Sequence, residues 1–303
     1  MPRFQNVAHL FSMRKAFIQL HTAVFLAGFT GILGRLITLN EAYLVWYRLL
    51  ITVITLWVLY YFQQKLHRVS WAGIRRIMGV GVIVALHWVT FYASIKYANV
   101  SVALVCFSAI GFFTAILEPL IVRKPFSITE LMLGLLVMAG IYLIFHFDPQ
   151  FKTGIILGII SALLASLFTV FNRILVQQNK PETVTLYQLS GGFLFLTMLL
   201  PVYLLYFPAG HILPTLSDAG WLLVLSLFCT VWAFNLSMNA LKKIAAFTVN
   251  LTYNLEPVYG IALAFLIYRE DKYLSGSFYT GLFLIMLSVV MHTWLVYRTG
   301  KKT

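Results

Sequence analysis

Acidic residues are scarce in this chain: nine Asp and Glu stand against 22 Lys and Arg, a formal net charge of +13 over 303 residues. Charged residues of both signs make up only 10% of the sequence, where an ordinary globular domain is about one quarter charged. A soluble fold of this length would lack the polar residues to cover its core. Cysteine is limited to Cys106 and Cys229. The pair has no metal-ligand spacing, says nothing of redox compartment, and reads as two small packing residues. Histidines are scattered singly, and no H-E-x-x-H, G-x-S-x-G or G-x-x-x-x-G-K-[ST] occurs. Metal-dependent chemistry, a serine nucleophile and direct coupling to ATP therefore have no support, and no cofactor or metal is expected.

What is abundant is apolar. Hydrophobic types reach 61% and the mean hydropathy is +0.88. No fixed charge lies between Lys15 and Arg35, Arg76 and Lys96, Lys152 and Arg173, Asp218 and Lys242, or Lys272 and Arg298. Each gap holds roughly the 20 residues that a helix needs to cross a bilayer. Runs such as LLVLSLFCTVWAF are apolar all round, without the period of two that membrane strands show. The fold class expected is an all-α polytopic membrane protein with ten transmembrane helices, at about 17–38, 42–62, 75–95, 99–122, 128–147, 153–175, 184–206, 218–240, 244–267 and 275–297. Pro201, Pro208, Gly210 and Pro214 place a helix end near Tyr206, followed by an external loop. Tyr60, Tyr61, Trp71, Tyr97, Tyr206, Trp221, Tyr268, Tyr273 and Tyr297 recur near proposed ends, where aromatic anchors sit.

Lys and Arg orient the chain. With both termini cytoplasmic, the inner side collects Arg14, Lys15, Lys65, Arg68, Arg75, Arg76, Arg123, Lys124, Arg173, Lys180, Lys242, Lys243, Lys301 and Lys302 among others, and the outer side keeps Lys96, Lys152, Arg269 and Lys272. This is a positive-inside bias. The basic charge lies in short loops, so the partner it implies is anionic lipid headgroups of the bilayer, and no nucleic acid is expected. The first apolar run exceeds the length of a signal h-region and is read as a retained helix.

The chain also repeats itself. FTGILGRLI (Phe29–Ile37) resembles FTVFNRILV (Phe168–Val176), and SIKYANVSVAL (Ser94–Leu104) resembles ALKKIAAFTVNL (Ala240–Leu251), with Lys96 opposite Lys242. That pairing sets Gly111 against Pro257, so the two LEP tripeptides, Leu117–Pro119 and Leu255–Pro257, are not equivalent. Two units follow, 1–148 and 149–303. Five helices in each is an odd number, so the second unit enters from the opposite side; inverted repeats of this kind build secondary transporters.

Tyr47-Arg48 early in the second helix, Ile95-Lys96-Tyr97 and Leu241-Lys242-Lys243 at helix junctions, Leu255-Glu256-Pro257-Val258 in the ninth helix and the Arg269-Glu270 turn come in an order that resembles the drug/metabolite transporter superfamily, specifically EamA-type permeases with two five-helix repeats. The similarity spans roughly residues 16–297. It implies a carrier, not an enzyme, that exports small metabolites or amino acids across a bacterial cytoplasmic (inner) membrane without ATP hydrolysis. In the first repeat the expected proline is Gly111, and the Gly-Glu turn reads Arg123-Lys124-Pro125, so substrate preference does not carry over.

Ionisable groups in hydrocarbon face a cavity or pair with something. Glu256 precedes Pro257, which removes a backbone donor and predicts a break near Tyr253, with freed carbonyls beside a carboxylate; a plain kink with Glu256 bonded to a neighbouring helix is the alternative. Asn250, Tyr253, Asn254 and Pro257 form one stripe, and Asn235 and Asn239 stand four apart on the eighth helix. Both sets fit cavity lining or interhelical hydrogen bonds. Arg48 fits three roles: gripping a substrate carboxylate, snorkelling, or pairing with Glu41. His87, Trp88 and Tyr92 share the third helix, where a histidine is either structural or handles substrate and protons. Glu118, near Arg123 and Lys124, and Glu256 are the proton-coupling candidates. The expected function is a secondary transporter for a small-molecule substrate, working by alternating access and complete as a monomer. Alternatives are a flippase or nucleotide-sugar-type carrier of the same superfamily and an intramembrane lipid-modifying enzyme.

Overall fold

The protein is described by a computed structural model covering residues 2–67, 69–147, 149–207 and 210–300. Arg68, Pro208, Lys301 and Lys302, counted above, lie outside the described residues. All regular structure in the described residues is helical. The first part holds α1 (Pro2–Ala27), α2 (Thr30–Leu36), α3 (Glu41–Phe62), α4 (Trp71–Tyr97), α5 (Val100–Phe107), α6 (Ile110–Val122) and α7 (Ile128–Phe147). A short 3-10 turn, Pro149–Phe151, leads to α8 (Lys152–Gln178), α9 (Pro181–Tyr206), α10 (Leu216–Ser226), α11 (Ala233–Leu241), α12 (Ala246–Tyr253), α13 (Glu256–Tyr268) and α14 (Gly276–Gly300). A π-helical stretch, Leu227–Trp232, joins α10 to α11.

Seven stretches are long and apolar enough to cross a membrane: Met13–Leu36, Glu41–Phe62, Trp71–Tyr97, Val100–Val122, Lys152–Gln178, Pro181–Tyr206 and Leu216–Leu241. The stretches Ile128–Ile144 of α7 and Gly276–Ser288 of α14 are apolar as well. The chain is thus a polytopic membrane protein, and by length and composition seven of the ten expected spans qualify among the described residues. The expected ninth span, α12 with α13, is not among the seven; it carries Asn250, Asn254 and Glu256, where the equally divided α5 and α6 are more apolar. Large apolar side chains such as Phe62, Leu120, Met198, Leu205 and Phe283 point outward, as a hydrocarbon solvent allows.

Polar residues at the helix ends set where the chain turns. Asn40 accepts a bond from Tyr43 N at 2.9 Å, Asn99 from Val102 N at 2.8 Å, and Thr215 and Asp218 form a reciprocal capping box. Pro181 opens α9, where its missing N–H costs nothing.

The broken helices carry the internal duplication to the residue. At the offset that sets Lys96 on Lys242, α5 falls on α12 and α6 on α13 end for end. Arg123 and Arg269, which close α6 and α13, both adopt the left-handed conformation, with φ of 58° and 55°. Pro257 sits in the first turn of α13, immediately after the break expected near Tyr253. The matching break at Ser108–Ala109 forms without proline, whereas Pro119 lies inside α6 without interrupting it. The two LEP tripeptides are not structural equivalents.

α5 packs on α13 and α6 on α12, so the two broken pairs cross antiparallel. α4 lies between α8 and α9, and α7 pairs with α14. These contacts need bare backbone. A Cβ on Gly81 would run into the Gln188 carbonyl, and one on Gly140 would meet Gly281 O at 2.6 Å; only glycine permits such approaches.

Candidate functional site

At the centre of the bundle is a cavity of about 90 Å³. Its walls come from α1–α2, α3, α4, α5–α6, α8, the π-helical stretch with α11, and α12–α13. Phe91, Phe107, Phe168, Phe234 and Trp88 give it an aromatic lining.

Arg48 enters from α3 and is only 3% exposed. Its Nε donates to Thr230 Oγ1 at 2.7 Å, Nη1 to Tyr92 Oη at 2.8 Å and Nη2 to the Cys229 carbonyl at 3.4 Å. Its guanidinium carbon sits 3.8 Å from the centroid of the Trp88 ring, a cation–π contact. Thr230 and Cys229 belong to the π-helical stretch, whose wider turn lets Thr230 Oγ1 donate to Leu225 O, five residues back, at 2.9 Å. Every one of these partners is neutral. Among the described residues no carboxylate lies within ion-pair distance of Arg48. Neither the surface position nor the Glu41 pairing considered for it occurs: Glu41 accepts a hydrogen bond from Tyr203 instead.

Glu256 begins α13 and is 4% exposed. Thr30 Oγ1 lies 3.3 Å from its Oε1 but only 2.6 Å from Ala27 O. A hydroxyl has one proton, and the shorter contact claims it, so Glu256 is weakly partnered and forms no ion pair among the described residues. At the break Leu251 O accepts from Asn254 N at 3.1 Å and Thr252 O from Leu255 N at 3.0 Å, whereas Tyr253 O, the carbonyl four residues before Pro257, accepts no hydrogen bond among the described residues. The site therefore holds a buried guanidinium and a buried carboxyl group on one aromatic cavity, with no ion pair to either among the described residues.

The other expected residues divide. His87, Trp88, Asn250 and Tyr253 line the cavity with Arg48 and Glu256. His87 Nδ1 lies 2.8 Å from Ser161 Oγ and 3.0 Å from Ser161 O, and its ring stacks on Phe107, so its orientation is held. Asn250 Nδ2 donates to Thr114 Oγ1 at 2.8 Å. Tyr92 is fully buried and holds Arg48. Asn235 accepts from Tyr60 Oη at 2.6 Å, and Asn239 donates to Asn235 O at 2.9 Å; both are tied into the bundle away from the cavity lining. Asn254 is wholly buried at the helix break beside Gly111, with neither amide atom partnered. Glu118 pairs with Lys124 at 3.1 Å and accepts from Phe247 N at 3.2 Å, outside the cavity lining.

Thr30, Phe168, Thr169 and Asn172 line the cavity too and escaped the sequence reading. All four belong to the duplicated Phe-Thr segments, 29–37 and 168–176, and the recurrence of that pair in both units was the signal available. Asn172 is fully buried; its Oδ1 accepts from Gln188 Nε2 at 2.8 Å and its Nδ2 has no partner.

The sequence matches the model of the EamA-like transporter family twice, over residues 14–146 and 152–294. A solved crystal structure matches the fold over 94% of this chain and 98% of its own, with a TM-score of 0.69 and 16% identity; at that identity the likeness is one of fold. No curated protein matches the sequence.

Proposed function

Because the chain belongs to the EamA-like transporter family, with one copy of the family unit in each half, we propose that it is a secondary transporter that moves amino acids or related small zwitterions by alternating access. In this reading the units 1–148 and 149–303 form ten membrane crossings of inverted topology, both termini are cytoplasmic, and export runs across a bacterial inner membrane. A single chain contains both halves of the cavity and works as a monomer.

The observation that carries the reading is that Arg48 and Glu256 line one cavity without forming an ion pair. A buried charge left without a partner is costly, and here two opposite charges border the same cavity. A zwitterion neutralises both at once, its carboxylate on the Arg48 fork and its ammonium on Glu256, with its side chain among the rings of Phe91, Phe107, Phe168 and Phe234. Among the cavity-lining residues Arg48 is the sole Lys or Arg, which disfavours a nucleotide-sugar or lipid-phosphate cargo, whose charge calls for several cations. Glu256 also meets the requirement for a proton-coupling group, being buried and next to the cargo's ammonium.

The test is efflux of radiolabelled amino acids from cells with and without the gene, with binding of zwitterions, N-acetylated amino acids and amino acid esters to the purified protein. Zwitterions alone should bind. Equal binding of the N-acetylated forms would remove Glu256 from the site, and equal binding of the esters would remove Arg48.

A further inference from the structure

Two carboxylates outside the cavity fasten the halves of the molecule to each other. Glu270 follows the left-handed Arg269 at the end of α13. Its Oε1 accepts from Val100 N at 3.2 Å, and its Oε2 from Ser101 N at 2.9 Å and Ser101 Oγ at 2.5 Å, while Arg35 forms an ion pair with it. Glu118 in α6 accepts from Phe247 N at 3.2 Å and pairs with Lys124 at 3.1 Å. Val100–Ser101 begin α5 and Ala246–Phe247 begin α12, the same two positions of the repeat. Each carboxylate therefore binds the N-terminus of a broken helix in the opposite half, where free N–H groups and the helix dipole favour an anion, and each is neutralised by a cation, Arg35 or Lys124.

The residues that build the two contacts are not equivalent in sequence. The repeat position of Glu270 is occupied by Lys124, and the carboxylate comes instead from Glu118, earlier on α6. Both halves thus arrive at a carboxylate on the facing N-terminus by different residues, which a chance survival of ancestral sequence does not explain. Because α5–α6 and α12–α13 cross antiparallel, the contacts lie at opposite ends of the crossing, with both helix breaks and Glu256 between them.

Building on the alternating-access reading, we propose that Glu270 and Glu118 are the two latches of the transport cycle: Glu270 holds the outer end of the broken-helix pair shut, Glu118 the inner end, and each opening of the cavity releases one of them. The latches are separate from the substrate site, and each works through hydrogen bonds to main-chain N–H groups of a helix that slides away when the end opens.

The native thiols supply the probe. Cys229 lines the cavity, Cys106 is fully buried, and the chain has no other cysteine. In a Cys106→Ala background, a membrane-impermeant maleimide is applied to right-side-out and inside-out vesicles, and Cys229→Ser gives the blank. E270Q should raise Cys229 labelling from the outer face by about tenfold, the factor that corresponds to about 1.4 kcal/mol, and lower it from the inner face. E118Q should do the reverse. If a glutamine variant does not reach the membrane, Ser101→Ala and Lys124→Ala weaken the same latches and must shift labelling in the same opposite directions. Glutamine variants that leave the sidedness of labelling unchanged, or move both faces alike, make these carboxylates plain helix caps and overturn the proposal while the transport reading stands. A parent protein whose Cys229 reacts from neither face, with or without amino acid, overturns alternating access itself.

Discussion

Arg48 is a full charge solvated by neutral groups: a hydroxyl from Thr230, a phenol from Tyr92, a carbonyl from Cys229 and the face of Trp88. Arg48→Lys keeps the charge and loses the planar fork that reaches these partners together. We expect zwitterion affinity to fall by about tenfold or more while the protein still inserts and purifies, read by isothermal titration or scintillation proximity. Glu256→Gln keeps the shape and removes the charge. Affinity for the zwitterion should fall, and transport should lose its dependence on an imposed pH gradient, whereas Glu118→Gln should keep that dependence; proteoliposome flux at matched and unmatched pH separates the two. Arg48 and Glu256 stood out in the sequence because a charge among apolar residues is conspicuous. Their environment did not, because Thr230 and Cys229 lie far along the chain and reach Arg48 through a wide turn that no local pattern announces. Asn235 and Asn239 had the same appearance as cavity residues, and only the structure shows where their amides are spent: Asn235 on Tyr60 and Val231, Asn239 on the Asn235 carbonyl.

Helix elements here are defined as much by their interruptions as by their runs. The break before Glu256 was legible because Pro257 cannot continue a hydrogen-bonded turn. Its counterpart at Ser108 was not, since no proline marks it. Close packing of α4 on α9 was equally hidden, since Gly79 and Gly81 look alike in sequence. A Cβ on Gly79 meets nothing within 4 Å, but one on Gly81 strikes the backbone of Gln188 and, at 2.9 Å, Gly192 N. Gly81→Ala should therefore destabilise the protein by about 1–3 kcal/mol, seen as a lower melting temperature in detergent, and Gly79→Ala should leave it unchanged.

At the scale of the whole molecule, the hydropathy profile located the apolar stretches but not which are single long helices, since the fourth and the ninth are each built of two short ones, α5 with α6 and α12 with α13. An even number of crossings requires the ends of the chain to share a side. Reporter fusions at residues 1 and 303 should both give a cytoplasmic signal; a split result would demand an odd count and would remove the inverted repeat. The placement of α4 between α8 and α9 bears on biosynthesis as well. When α4 leaves the ribosome, neither neighbour has been made, and Gly81 faces lipid in place of the backbone of Gln188. The first unit must therefore wait in the bilayer half-assembled, its charged Arg48 without Thr230 or Cys229, until more than half of the remaining polypeptide has been inserted. Any quality-control protease that recognises exposed intramembrane polar groups has its opportunity in that interval, and the pace of translation through α8 to α11 sets how long it lasts.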